Sequence, residues 1–220
     1  MENKNNVIVE DLVNYHVKDF IIDNELFQQV YEEILTLAYW VKGFQPHNIL
    51  EIGHRGSTFH ILSQLSTGKK VALDWIDNGL SIRSHYMMYG QDFKLLIGDS
   101  QTEETRDKVK EFCPQYDLIF IDGDHSYDGV KRDFELYKTL LSPRGHIVFH
   151  DVDSRNVFRD GPPGAEGAGQ VYKFWQDLEE GSKTNIITTK SSGKIVCFGA
   201  TERFGGIGIW RPLQEIKKSA

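Results

Sequence analysis

The sequence predicts an α/β fold built on a mainly parallel seven-stranded sheet, with helices on both faces and an antiparallel hairpin at the C-terminal end. Two observations support this prediction. From residue 46 onward, short apolar runs alternate with amphipathic segments of helical period, which is typical of parallel strands covered on both faces. In addition, an acid stands at or near the end of each of the first five runs: Glu51, Asp74, Asp99, Asp122 and Asp151.

The N-terminal part, residues 1–45, is expected to contain an irregular lead-in over residues 1–22 and one helix. The helix is NELFQQVYEEILTLAYWVKG, in which apolar residues recur at helical spacing. Asn24 is suited to cap its start, and Gly43 is suited to end it. The remainder, residues 46–212, is expected to be the core of one domain, since 220 residues suit a single α/β domain.

The core contains the alternating elements of the predicted sheet. Its strands, in order, are HNILEIG, KKVALDW, DFKLLIGDS, YDLIFIDGD, GHIVFHDV, TNIITTK and GKIVCFGA. The helices between them are STFHILSQLS, QTEETRDKVKEF, SYDGVKRDFELYKTLL and GQVYKFWQDLEEG. Val130, Phe134 and Tyr137 lie on one face of the third helix, as an amphipathic helix requires. The last two strands, with SSGK between them, are expected to pair as the hairpin.

Composition and charge narrow the class of protein. The net charge of −7 disfavours a general nucleic-acid binder. No apolar run approaches the ~20 residues of a membrane span, and MENKNNVIVEDL lacks the apolar core of a signal peptide. Cys113 and Cys197 form no metal-binding pattern, and reduced thiols suit a cytosolic protein. We therefore expect a soluble cytoplasmic protein, and a homodimer is compatible with the sequence.

The acids at the strand ends indicate the kind of ligand. An α/β fold of this type binds its ligand beyond the carboxyl ends of the strands. The first loop, EIGHRGSTFH, contains neither G-x-G-x-x-G nor G-x-x-x-x-G-K-[ST], which disfavours a dinucleotide or a nucleoside triphosphate. Carboxylates accept hydrogen bonds from hydroxyls and amines and offset positive charge. S-adenosylmethionine offers all of these groups: ribose, adenine, ammonium and sulfonium.

Two segments place the chain beside a known family. The fourth strand reads FIDGDHSYDGV and the fifth reads IVFHDV. In this pair the chain resembles the class I S-adenosylmethionine-dependent methyltransferases, in the branch with an FIDGDHSYDG-type fourth strand and an FHD-type fifth strand. The resemblance runs from NILEIG to GGIGIW, most of the chain. It implies the Rossmann-like class I methyltransferase fold and S-adenosylmethionine as the cofactor.

The resemblance also implies roles for residues at the strand ends. Gly53 and its loop approach the methionine part of the cofactor, Asp74 takes the ribose hydroxyls, and Asp99 lies near the adenine. Asp122 lies beside the methionine ammonium or a metal. The residues expected to bind the cofactor are Glu51, Gly53, Gly56, Ser57, Asp74, Asp99, Ser100 and Asp122.

The first loop departs from the family pattern. It reads GHRGST, with Arg55 where a glycine is common, and its spacing is shortened. Gly56 and Ser57 therefore have two interpretations. They contact the cofactor, or they only form a tight turn and a helix cap.

Methyl transfer requires an aligned acceptor and, for a hydroxyl, a way to remove its proton. Two routes are open. In the first, His150 or His125 is the general base, because imidazole titrates near neutral pH. In the second, Asp122, His150 and Asp151 hold Mg²⁺ or another divalent cation, which lowers the pKa of an acceptor hydroxyl. The histidine makes Mg²⁺ less suitable, since that ion prefers oxygen ligands.

The same segment contains residues with purely structural interpretations. Asp124 either caps the helix that begins near Ser126 or takes part in catalysis. His125 is either a base or a residue that fixes its loop by hydrogen bonding.

We therefore expect an enzyme, an S-adenosylmethionine-dependent methyltransferase that acts on a hydroxyl of a sugar or another hydroxylated small molecule. Two alternatives stay open. One is a metal-dependent hydroxylase-like or hydrolytic enzyme on the same scaffold. The other is a non-catalytic module that binds S-adenosylmethionine, which the irregular GHRGST loop favours.

Overall fold

A computed structural model provides the structure of the protein. It describes residues 8–19, 31–54, 57–76, 90–154, 169–187 and 205–213. Gly56 and the predicted strand GKIVCFGA lie outside these residues, as does the side chain of Ser57. Within the described ranges, no helix is long and apolar enough to cross a membrane.

The described residues form a seven-stranded sheet. The strands are β1 Ile49–Ile52, β2 Lys70–Asp74, β3 Phe93–Ile97, β4 Tyr116–Ile121, β5 Leu141–His150, β6 Ser182–Ile186 and β7 Ile207–Arg211. Their order is β3-β2-β1-β4-β5-β7-β6. Strands β1 to β5 pair in parallel, whereas β7 is antiparallel to both β5 and β6. The predicted fold class, a mainly parallel sheet with an antiparallel C-terminal pair, is confirmed.

Helices cover both faces of this sheet. They are α1 Val9–Asp19, α2 Tyr31–Phe44, α3 Ser57–Gln64, α4 Glu103–Phe112, α5 Tyr127–Tyr137 and α6 Val171–Asp177, with short 3₁₀ turns at Gly90–Asp92 and Lys138–Leu140. Strand side chains alternate between two apolar layers, so that Leu50 and Ile52 pack with α4, α5 and α6 while Ile49 packs with α1, α2 and α3. The result is a three-layer α/β/α arrangement.

The N-terminal segment differs from the prediction. Residues 9–19 form α1 rather than an irregular lead-in. Val9, Leu12 and Val13 are buried, at the i, i+3, i+4 spacing of a helix that packs against α2 and α3. Polar residues surround these three positions, and most of the stability of such a short helix comes from tertiary packing. This explains why the local pattern did not reveal it.

The last strand also differs from the prediction. The sequence predicts TNIITTK and GKIVCFGA as the final pair, but the strand that pairs with β6 is β7, Ile207–Arg211, within GGIGIW. Gly208 lies in the strand because the Trp175 ring occupies the space of its side chain, where a Cβ would lie 2.9 Å from ring carbons. Strand β5 is also longer than predicted, since it begins at Leu141.

Strands β1 and β4 are neighbours at the point where the strand order reverses, which is where folds of this kind open a ligand crevice. The backbones come very close there. Gly53 has φ +83°, and a Cβ on it would lie 2.0 Å from the Asp122 carbonyl oxygen. The Asp122 N–H donates to the Ile52 carbonyl at 2.9 Å. Only glycine allows the two strand ends to meet in this way.

Candidate active site

Two acids and two imidazoles form a closed ring, here called the acid–imidazole ring. His125 Nε2 lies 3.1 Å from Asp122 Oδ1, and His125 Nδ1 lies 3.0 Å from Asp151 Oδ2. His150 Nδ1 lies 3.3 Å from Asp122 Oδ1 and 3.0 Å from Asp151 Oδ1. Each histidine therefore contacts both acids. The ring unites the residues that the sequence proposed as catalytic or metal-binding.

The sheet register brings these residues to one level. Ile121 and Phe149 are paired across β4 and β5, so the residues that follow them, Asp122 and His150, lie side by side. Asp151 comes directly after β5 and has φ +61°, an uncommon conformation that turns the chain at this point. His125 reaches the ring from the loop that precedes α5.

The ring is electrostatically balanced. Burial alone lowers the pKa of both histidines, but Asp122 and Asp151 outweigh it, raising the pKa of His125 to about 10 and that of His150 to about 9. Burial raises the pKa of each carboxyl, but the two histidines hold both pKa values well below the ordinary range. At neutral pH the ring holds two carboxylates and two imidazolium groups. The charges compensate one another, as buried charges must.

The ring also has the geometry to hold a cation. Asp122, His125 and Asp151 each offer one ligand atom, and these atoms lie within 4.8 Å of one another. The predicted ligand set named His150 instead of His125. The side chain of His125 is 25% exposed, whereas that of His150 is 1% exposed and lies behind both carboxylates. The accessible ligand set therefore contains His125.

The other acids proposed for the cofactor line the rim on the β1 and β2 side. Asp74 is the last residue of β2 and is buried, and its Oδ1 accepts hydrogen bonds from the N–H groups of Trp75 and Ile76. Glu51 is also buried, with Oε1 3.5 Å from His54 Nδ1. Burial lowers the pKa of His54 to about 4, so this imidazole is neutral.

The loops after β3 and β4 are joined to each other. Asp99 accepts from the Gln101 N–H at 2.9 Å, and the Gln101 side chain donates to Asp124 Oδ2 at 2.9 Å. The hydroxyl of Ser126 accepts from the Gly129 N–H and is the N-cap of α5. The interpretation of Asp124 as the helix cap is therefore wrong. Its Oδ1 accepts from the Ser126 N–H, and its Oδ2 holds the neighbouring loop.

Two buried acids near the site were missed. Glu33 on α2 accepts from the Gly206 N–H at 2.8 Å, a contact between residues 173 positions apart that no local pattern indicates. A Cβ on Gly205 would lie 3.0 Å from both Glu33 Oε2 and His150 Nε2, so this segment separates the two side chains. Asp133 is fully buried on α5. The sequence could have indicated that Asp133 is buried, because it lies between Val130 and Phe134 on the apolar face of the helix.

Part of the chain matches a known protein family. Residues 50–152, which carry the ends of the five parallel strands, match a family described as a methyltransferase domain. An uncharacterized protein of Sinorhizobium fredii, y4gI, is 28% identical over 154 residues. That match covers 63% of this chain but 16% of the relative, so the chain spans about a sixth of the length of that protein.

Solved structures share the fold. The O-methyltransferase of Bacillus cereus, crystallised with SAH, superposes with a TM-score of 0.60 at 17% identity, over 96% of this chain and 92% of that one. TomG of Streptomyces achromogenes, an O-methyltransferase crystallised with SAM, gives a TM-score of 0.60 at 18% identity, over 96% and 91%. The predicted resemblance to class I S-adenosylmethionine-dependent methyltransferases is confirmed.

Proposed function

We propose that the methyltransferase domain of this chain transfers a methyl group from S-adenosylmethionine to a hydroxyl of a sugar or another hydroxylated small molecule. The observation that carries this proposal is the acid–imidazole ring, which lies at the carboxyl ends of β4 and β5, where ligands of this fold bind. The family match favours methyl transfer over the hydroxylase-like, hydrolytic and non-catalytic alternatives.

The residues of the rim fit this cofactor. Asp74 is buried and its Oδ1 is fixed by two backbone N–H groups, and a carboxylate held in this way can accept hydrogen bonds from a diol such as the ribose. Gly53 brings bare backbone to the crevice directly beside Asp122, the residue expected near the methionine ammonium or a metal. The full proposed set is Glu51, Gly53, Gly56, Ser57, Asp74, Asp99, Ser100 and Asp122. When bound, S-adenosylmethionine supplies a methyl group on a sulfonium, which needs no activation by the protein.

The electrostatics of the ring favour one of the two routes for the acceptor proton. Since the acids raise the pKa of His125 to about 10 and that of His150 to about 9, both imidazoles already carry a proton at neutral pH. Neither can accept another while the ring is intact. A divalent cation would, however, displace the proton of His125 to solvent, and the neutral imidazole and the two carboxylates would then be available as its ligands.

We therefore propose that Asp122, His125 and Asp151 hold a divalent cation, with His150 supporting both carboxylates from behind. The imidazole in this set favours a first-row transition ion such as Mn²⁺ over Mg²⁺. When bound, such an ion lowers the pKa of a coordinated hydroxyl. The protein residues position the ion, align the acceptor and neutralise the charge.

Isothermal titration with S-adenosylhomocysteine, followed by transfer assays on a panel of sugars and diols, tests the proposal. Binding and transfer are expected, and transfer should stop after EDTA treatment and return more fully with Mn²⁺ than with Mg²⁺. Asp122→Ala should abolish transfer and leave the circular dichroism spectrum unchanged. Asp107→Ala, an exposed acid on α4, is the matched control.

Each part of the proposal has its own contradicting result. Folded protein that does not bind S-adenosylhomocysteine rules out the methyltransferase function. Full activity after exhaustive EDTA treatment leaves that function standing but rules out the cation. Unchanged turnover in Asp122→Ala removes the acid–imidazole ring from the reaction.

A further inference from the structure

Asp133 is a buried acid that the proposed reaction does not use. It lies on α5 among Val130, Phe134 and Tyr137, which pack in the apolar layer beneath the sheet, and its exposure is 0%. Neither carboxyl oxygen has a hydrogen-bond partner of normal geometry among the residues that the structure describes. A charged carboxylate left in this state is strongly disfavoured, so such a position requires an explanation.

The carboxyl lies next to two loops of the proposed cofactor site. A Cβ on Gly123, in the loop after β4, would lie 3.2 Å from Asp133 Oδ2. The Ser100 side chain, in the loop after β3, also interacts with the carboxyl. Ser100 belongs to the set proposed for the cofactor, and Gly123 follows another member of it, Asp122.

Hydrogen bonds near the carboxyl connect the same two loops to each other and to α5. The Gln101 side chain donates to Asp124, and Arg132 Nε, from the residue that precedes Asp133 on α5, donates to the Gln101 carbonyl at 3.1 Å. The two loops and α5 are therefore connected to one another next to Asp133.

The charges that face Asp133 oppose its ionisation. Burial raises the pKa of this carboxyl, and the negative charges of Asp124 and Asp99 add to the effect, so that the pKa reaches about 7 even though Ser100 favours the charged form. On its own helix the neighbouring titratable group is Tyr137, whose pKa is also raised by burial, with Arg106 of α4 acting against that shift. No cationic side chain in the described ranges pairs with Asp133.

We propose that Asp133 is a positioning residue for the cofactor site, which supports Gly123 and Ser100 from below as an uncharged carboxylic acid. The proposal rests on the function proposed above and deepens it, because it assigns a support to the two loops that carry Ser100 and Asp122, both in the set proposed for the cofactor. An uncharged acid fills the space without adding charge. The ionised form places a third negative charge beside Asp99 and Asp124, without a cationic partner among the described residues, and pushes the two loops apart.

The expected consequence is a cofactor affinity that depends on the protonation of Asp133. Binding selects the neutral form, so affinity is complete below the pKa of the free protein and falls as pH rises through it. The dissociation constant of S-adenosylhomocysteine, measured by isothermal titration, should rise about tenfold between about pH 6 and about pH 8.5, which corresponds to a pKa raised by about one unit on binding.

Asp133→Asn removes the titration and keeps the shape. Its affinity should match that of the unmodified protein at about pH 6 and stay nearly flat to about pH 8.5. Asp128→Asn, an exposed acid in the first turn of the same helix, should keep the pH dependence of the unmodified protein. The titration of the ligand's own amine is common to all three proteins and cancels in the comparison.

A second measurement needs no variant. Carbon-13 NMR of aspartate-labelled protein should show one buried carboxyl that titrates near neutrality in the free protein and at higher pH with S-adenosylhomocysteine bound. Parallel affinity curves in Asp133→Asn and the unmodified protein overturn the inference, as does the absence of any carboxyl titrating above about pH 5.5. Folded protein that binds no S-adenosylhomocysteine at any pH would instead overturn the proposed function.

Discussion

At the scale of single residues, Asp151 combines an uncommon backbone conformation with a buried side chain. Its φ of +61° is a conformation that few non-glycine residues adopt, although aspartate tolerates it better than most. Its side chain is fully buried and meets both His125 and His150. Backbone conformations of this kind persist where the surroundings enforce them and are frequent at functional sites. The geometry at Asp151 therefore supports a site for chemistry rather than a simple strand end.

Asp74 allows a quantitative prediction at the same scale. Two backbone N–H groups already orient its Oδ1, so the carboxylate would lose little freedom on binding the ribose hydroxyls proposed as its ligands. Asp74→Ala should weaken the binding of S-adenosylhomocysteine by roughly 1–3 kcal/mol, the usual consequence of leaving polar partners unpaired. Isothermal titration measures this difference directly.

The matched control for Asp74 is Asp92→Ala. Asp92 pairs with Lys69 at the exposed start of β3, away from the carboxyl ends of the strands. This variant should bind S-adenosylhomocysteine with unchanged affinity. Equal losses in the two variants would mean that Asp74 acts through general charge or stability, not through contact with the ligand.

At the scale of elements, the meeting of β1 and β4 depends on Gly53. A Cβ there would lie 2.0 Å from the Asp122 carbonyl oxygen, and φ is +83°. Gly53→Ala should therefore lower the free energy of unfolding by more than about 3 kcal/mol, since the backbone clash adds to the conformational strain. Urea unfolding followed by circular dichroism gives this value.

Gly43 near the end of α2 is the opposite case. A Cβ on it meets nothing within 4 Å. Gly43→Ala should raise the free energy of unfolding by about 0.5–1 kcal/mol, because alanine is the better helix former. If both substitutions destabilise the protein equally, the argument from the close approach of β1 and β4 does not hold.

The contrast between elements shows what local sequence can and cannot predict. The sequence predicted the five strand-end acids because each follows an apolar run. Parallel strands bring the ends of such runs to one edge of the sheet. Strand β7 was not predicted, because glycine in a strand is unusual and the packing of the Trp175 ring against Gly208 depends on the tertiary structure. The Glu33 to Gly206 hydrogen bond depends on tertiary packing alone.

The acid–imidazole ring was predictable only in part. The pairing of the β4 and β5 ends followed from the order of strands, which brought Asp122 near His150 and Asp151. The contact between His125 and Asp151 could not be predicted from the strand order. It depends on the conformation of the loop before α5. The sequence marks Asp133 as unusual, because it is an acid on the apolar face of a helix. Its contact with the loop at Gly123 is known only from the structure.

At the scale of the whole molecule, the proposed site joins segments far apart in the chain, from Glu51 to Asp151. A ligand that bridges these strand ends stabilises the entire sheet, because it binds the folded protein and not the unfolded chain. At a hundred times its dissociation constant, S-adenosylhomocysteine should add about 2.7 kcal/mol. For a domain of this size that raises the melting temperature by roughly 5–10 °C in differential scanning fluorimetry.

The variants make this prediction specific. Gly43→Ala shifts the starting melting temperature but leaves the ligand site intact, so S-adenosylhomocysteine should add the same increment to it. In Asp74→Ala, a tenfold weaker affinity leaves the ligand at about ten times its dissociation constant, which adds only about 1.4 kcal/mol. Its increment should therefore be about half that of the unmodified protein. Equal increments in Asp74→Ala and Gly43→Ala would show that the ligand stabilises the fold from a place other than this rim.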